Sequence, residues 1–93
     1  MKIKSLAFKD GKLIVQWTKG SHITGYQIEY SLKKDFSDST IKTVSKAGTT
    51  KVILKNLTAG KTYFVRIRTY QKKNGEKYYS TWSKVSTCKG GIR

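Results

Sequence analysis

Proline is absent from this 93-residue chain, and cysteine occurs once, at Cys88. One cysteine excludes an intrachain disulfide, and its scarcity suits a cytosolic protein and a bacterial surface protein equally. Three readings stay open for Cys88: an ordinary small residue near the end of the last strand, a free thiol, or a point of accidental dimerisation. Histidine also occurs once. His22 sits in the turn-like "GSHITG" with no second His, Cys or carboxylate at ligand spacing, so no metal site is expected there. No Ser-His-acid set, P-loop or dinucleotide motif is present, so no catalysis and no cofactor are expected. No apolar run approaches the roughly 18 residues of a membrane span; "LIV" at 13–15 is typical. Membrane insertion is therefore not expected. The opening "MKIKSLAFKD" lacks the apolar core of a signal peptide, so export would need a signal outside this sequence.

Acidic residues are the other shortage: 5 Asp and Glu stand against 20 Lys and Arg, a net charge of +15. Such an excess attracts polyanions. The lysines are spread along the chain rather than blocked into a tail, which reads as a Lys-coated globule rather than a basic nucleic-acid arm. Asp35 and Asp38 share a loop in which a loosely held cation is conceivable, although an ordinary loop is the simpler reading. Asn56-Leu57-Thr58 matches a glycosylation sequon and is read as chance, because Leu57 is expected inside. Aromatic residues are plentiful: two Trp, six Tyr and three Phe. A chain of this length forms one domain with one modest core, and these rings must supply much of it.

The dominant pattern has period 2. "KLIVQWT" (12–18) places Leu13, Val15 and Trp17 on one face. "GYQIEYS" (25–31) separates Tyr26, Ile28 and Tyr30 from Gln27 and Glu29. "TKVILKNL" (50–57) offers Val52 and Leu54, then Leu57 after a bend. "TYFVRIRTY" (62–70) turns Tyr63, Val65 and Ile67 inward and leaves Phe64, Arg66, Arg68 and Tyr70 outward. Alternation with β-branched and aromatic residues predicts half-buried strands. Weaker patterns at 3–8, 39–45 and 78–88 complete a set of seven. Turn signals fall between them at Asp10-Gly11, Gly20-Ser21, Lys34-Asp35, Ala47-Gly48, Ala59-Gly60 and Asn74-Gly75. Asn-Gly is the strongest short hairpin signal, and here it joins 62–70 to the final strand. The expectation is an all-β, immunoglobulin-like, seven-strand antiparallel β-sandwich. Its expected core holds Trp17, Tyr26, Ile28, Leu57, Tyr63, Val65 and Ile67. A Tyr just after a turn can reach back with its hydroxyl to upstream backbone, and Tyr63 is placed for that tyrosine corner. In the absence of proline, outward lysines are expected to guard the edge strands.

These residues resemble the fibronectin type III module. Trp17 ends the second strand as that family's core tryptophan does, and "GYQIEYS" looks like its third strand. "NLTAGKTYFVRIRTY" matches its most recognisable stretch through Leu57, Gly60 and Tyr63. "YSTWS" (79–83) looks like the Ser-x-Trp-Ser that opens the last strand. The resemblance runs from about Lys2 to Lys89, which gives a module over 1–90 and a linker or tail over 91–93. The prolines usual around the first strand and before the tyrosine are missing. The Lys- and Tyr-rich, Cys-poor style looks most like modules of Gram-positive bacterial surface proteins. What the resemblance implies is a non-catalytic spacer or adhesion unit of a larger extracellular or cell-wall protein. Its partners would be neighbouring domains of the same polypeptide, and it would be a monomer in isolation. The integrin-binding Arg-Gly-Asp of some members is absent from "KKNGEK" and is not carried over.

The outward face of 62–70 carries the one candidate site. With Tyr79 and Trp82 brought alongside by the hairpin, Arg66, Arg68 and Tyr70 form a basic, aromatic surface edged by Lys72, Lys73 and Lys77. One reading is a ligand face for anionic polysaccharide or wall polymer, with guanidiniums on the acidic groups and rings on the sugars. A second follows from relatives with a Trp-Ser-x-Trp-Ser element, where indoles interleave with arginines. "YSTWS" beside "RIR" looks like a reduced form of that ladder, which explains arginine in a chain that otherwise uses lysine. A merely solvated face is the third. Nucleic-acid binding is not expected, since no recognised motif is present.

Overall fold

The structure, a computed structural model, describes residues 2–9, 11–55, 57 and 60–89. Asp10, the sequon residues Asn56 and Thr58, the turn residue Ala59, and the tail 91–93 lie outside the described residues. Eight strand segments follow in order: β1 (Ile3–Lys9), β2 (Lys12–Trp17), β3 (Gly25–Ser31), β4 (Thr40–Val44), β5 (Lys51–Leu54), β6 (Thr62–Lys73), β7 (Glu76–Tyr79) and β8 (Ser86–Lys89). They form two antiparallel sheets. One runs β1-β2-β5; the other runs β4-β3-β6, with β7 and β8 pairing successive parts of β6. This is the antiparallel sandwich that the alternation predicts.

The inward residues of the two sheets meet in one core of Leu13, Val15, Trp17, Tyr26, Ile28, Leu54, Tyr63, Val65 and Ile67. Each fully buried aliphatic side chain there contributes about 1.5–3 kcal/mol of burial free energy. Six of the seven expected core residues are buried; Leu57 is half-buried and packs against the edge of the cluster. Trp17 and Tyr26 contact each other at 5.1 Å between ring centroids. The Tyr26 hydroxyl accepts from the Gly20 amide at 2.9 Å and donates to the Ala47 carbonyl at 2.8 Å. It thereby ties the loop entering β3 to the loop leaving β4. Tyr63 stands buried at the second position of β6, while the turn residues upstream at 56, 58 and 59 lie outside the described residues.

Turn chemistry follows the expected positions. Asn74 and Gly75 both adopt left-handed φ, at 54° and 82°, and close the β6–β7 hairpin in the manner of a type I′ turn. The hairpin carries β6 beyond Gly25, the first residue of β3, so its tip projects past that end of the sandwich.

The final strand differs from expectation. In place of one run over 78–88, β7 and β8 are separated by the irregular segment 80–85. The cause lies in two serines. Ser80 donates its amide to the Thr69 carbonyl at 3.0 Å and accepts the Thr69 amide on its hydroxyl at 2.9 Å. Ser83 does the same for Ile67, at 2.7 and 3.0 Å. Side-chain oxygens thus replace backbone carbonyls as acceptors for β6. The ladder stays satisfied while the backbone departs from strand geometry.

Candidate functional site

The expected site occupies the outer face of the larger sheet. Register sets it up: Glu29 lies opposite Arg66, Gln27 opposite Arg68, and Gly25 opposite Tyr70. Directly opposed residues share a face, so each arginine crosses over its partner on β3. Arg66 reaches one Glu29 oxygen through both Nε and Nη2, each at 2.6 Å, while the other carboxylate oxygen accepts from Ser39 at 2.6 Å. The Arg68 Nε donates to the Gln27 Oε1 at 3.0 Å.

Above this polar layer the guanidiniums and rings alternate. Arg66 lies 4.2 Å from the Phe36 ring centroid and 4.6 Å from that of Trp82. Arg68 lies 4.3 Å from Trp82 and 4.0 Å from Tyr79. The stack therefore runs Phe36, Arg66, Trp82, Arg68, Tyr79. Tyr79 continues onto Tyr70 at 6.2 Å, and Lys77 caps the Tyr70 ring at 5.2 Å. The serine-anchored segment between β7 and β8 is what sets Trp82 between the two arginines. Each guanidinium–ring contact contributes about 0.5–2 kcal/mol.

The structure brings Arg66, Arg68, Tyr70, Lys77, Tyr79 and Trp82 together in this one assembly. Lys72 and Lys73 stand apart at the exposed hairpin tip. Three expectations need correction. Tyr70, assigned to an exposed surface, is only 3% exposed. Its ring fills the space left by Gly25, where an added Cβ would come within 2.9 Å of the Tyr70 hydroxyl. Gln27 and Glu29, on the water-facing parity of β3, are buried because the arginines lie over them; Glu29 keeps 7% exposure. Arg66 and Arg68 themselves are half-buried rather than free in solvent.

Phe36 is the part that sequence reading missed. It lies in the β3–β4 loop, where no period marks it, and adopts a left-handed φ of 61°. A bulky residue held there costs about 1–3 kcal/mol. Its amide donates to the Lys33 carbonyl at 3.0 Å, and stacking on Arg66 with near-complete burial of the ring offsets that cost.

Two titratable groups feel their local surroundings. Hydrogen bonds from the Ser37 hydroxyl and amide hold the Asp35 carboxyl below its ordinary range. Desolvation by burial pushes the Cys88 thiol up. The described residues contain no group of three or more His, Cys, Asp and Glu able to hold a metal, and Asp38 instead pairs with Lys33 at 3.2 Å. No described helix is long and apolar enough to cross a membrane.

A two-sheet sandwich with Trp17 in its core and a Tyr at the second position of β6 defines an immunoglobulin-like module. The chain belongs to the fibronectin type III domain family, whose profile matches residues 3–88. Among solved structures it is similar to one described as "Myokine structure", with a TM-score of 0.72 and 17% sequence identity over 98% of this chain and 97% of that one. Identity that low speaks for the fold alone. No curated protein matches the chain. The chain is thus a fibronectin type III module.

Proposed function

We propose that the chain is a spacer or adhesion module of a larger extracellular or cell-wall-associated bacterial protein. Residues 1–90 form its folded unit and 91–93 its linker, and its partners are neighbouring domains. The observation that carries this reading is the engagement of both sheet arginines. Each guanidinium is held between two rings and hydrogen-bonded to a β3 side chain. A face whose charged groups already have partners stiffens the sheet; it does not await a ligand. Strand geometry supports the same role. β1 begins beside the end of β2, whereas β8 ends beside the start of β6, at the opposite end of the sandwich. A chain that enters at one end and leaves at the other suits a bead in a string. The lysine coat and the cysteine-poor, tyrosine-rich composition support the bacterial surface setting.

The test is a titration with sulfated polysaccharide and with duplex DNA over a range of salt, on the parent and on a variant carrying Lys72→Gln, Lys73→Gln and Lys77→Gln. A spacer with a +15 surface binds both polyanions weakly at low salt and loses both near 0.15 M, where the Debye length is about 8 Å. Saturable polysaccharide binding that survives at that salt and is lost in the triple variant would overturn the spacer reading in favour of a glycan-binding hairpin.

A further inference from the structure

Away from the arginine stack, a second feature lies at the end of the sandwich where β3 ends and β6 begins. A mouth of about 360 Å³ opens there, lined among others by Tyr30, Leu32, Lys33, Asp38, Lys55 and Tyr63. That volume falls within the roughly 300–1,000 Å³ of small-molecule sites. We propose that this mouth binds a small carboxylic acid with an aromatic or branched aliphatic body.

The floor and walls ask for an apolar body. Tyr63 and Tyr30 belong to the inward faces of β6 and β3, and Leu57 is half-buried against the core. Leu32 stands on the rim with 48% of its surface exposed. An exposed leucine over an aromatic floor gains from a partner that removes both from water. The rim asks for one negative charge. It holds two lysines, Lys33 and Lys55, and one acid, Asp38, a surplus of one positive charge. Asp38 is committed to Lys33 at 3.2 Å, whereas Lys55 has no ion-pair partner among the described residues. A monoanionic carboxylate balances that surplus, and a dianionic phosphate overshoots it.

The rim is also preorganised. The Ser31 hydroxyl donates to the Ser37 carbonyl at 2.8 Å and accepts the Lys33 amide at 3.0 Å, and the Ser37 amide donates to Asp35 at 3.0 Å. Phe36 locks the same loop onto Arg66. A rim fixed before binding adds little ordering cost when the ligand arrives.

The experiment is an amide-resolved NMR titration of the domain with 4-phenylbutyrate and, in parallel, with the neutral 4-phenylbutanol. The expected result is saturable shifts clustered at Tyr30, Leu32, Lys33, Leu57 and Tyr63, with the acid bound tighter by about threefold, the scale of one exposed ion pair. Lys55→Gln, an exposed change that leaves the core alone, should bring acid and alcohol to equal affinity. Leu32→Ser should weaken both. The proposal is overturned if neither compound gives saturable shifts. It is equally overturned if the acid shifts lysines all over the surface, or if its advantage survives Lys55→Gln.

Discussion

Replacing Arg66 with alanine removes several things at once, and the structure sets their sizes. Two guanidinium–ring contacts vanish, at 4.2 Å to Phe36 and 4.6 Å to Trp82, each worth about 0.5–2 kcal/mol. The carboxylate of Glu29, only 7% exposed while the arginine covers it, keeps only the Ser39 hydroxyl. Breaking a fully buried ion pair from one side costs about 3–5 kcal/mol. Here the arginine side chain is 27% exposed, so water entering the vacated space takes up part of the loss. A total of about 3 kcal/mol is reasonable, since these contributions overlap. For a domain of this length that lowers Tm by roughly 12–24 °C. Arg66→Lys separates the causes. A lysine ammonium can reach Glu29 but cannot lie flat between two rings, so it should recover about half the loss. Adding Glu29→Gln to Arg66→Ala should restore stability relative to Arg66→Ala alone, because the stranded charge disappears. Thermal melts followed by far-UV circular dichroism read all four proteins. A fall below about 4 °C for Arg66→Ala, under roughly 1 kcal/mol, would refute the reasoning. So would equal melts for Arg66→Lys and the parent.

Other sites give sharper single tests. Gly25→Ala would bring a Cβ to 2.1 Å from the Val44 carbonyl and 2.9 Å from the Tyr70 hydroxyl; the β3–β4 pairing must part, with a loss above about 3 kcal/mol seen in urea denaturation. Ser83→Ala removes the acceptor of the Ile67 amide at 3.0 Å, at a cost of about 1–3 kcal/mol, and hydrogen exchange at Ile67 should accelerate while that at Val65, paired with β8, changes less. The depressed Asp35 pKa means that its contribution to stability is present above the ordinary carboxylate value near 4. That contribution is lost as pH falls through the lowered folded value. Ser37→Ala removes the hydroxyl that lowers it most and should therefore move the Asp35 titration back up, as followed by carboxyl-carbon NMR.

Much of this architecture was legible because strands announce themselves locally. Alternation in 12–18, 25–31 and 62–70 identified the inward residues, and Asn74-Gly75 identified the hairpin. The arginine–indole stack was legible only through resemblance, from "RIR" and "YSTWS". What stayed hidden depends on contacts distant in sequence. Gly25 reads only as the first residue of a strand until β6 is laid beside β3 and Tyr70 falls across it. Glu29 reads as solvent-facing until Arg66 closes over it. Phe36 lies in a loop, where side-chain direction follows backbone dihedrals rather than any period, and its left-handed φ leaves no mark in the sequence. The split of the final strand rests on two serine hydroxyls acting as backbone carbonyls, a substitution that strand propensity does not register. The mouth at Tyr30 and Tyr63 draws its lining from β3, the β3–β4 loop, the stretch after β5 and the start of β6, and no single segment encodes it.

Whether the two guanidiniums are clamped between rings before anything binds can be read directly by side-chain NMR of the ligand-free domain. The stack predicts slowed guanidinium rotation for both Arg66 and Arg68, with their Hε and Hδ protons moved upfield by ring currents from Phe36, Trp82 and Tyr79. Freely averaging guanidiniums with shifts like those of arginine in a disordered peptide would contradict it.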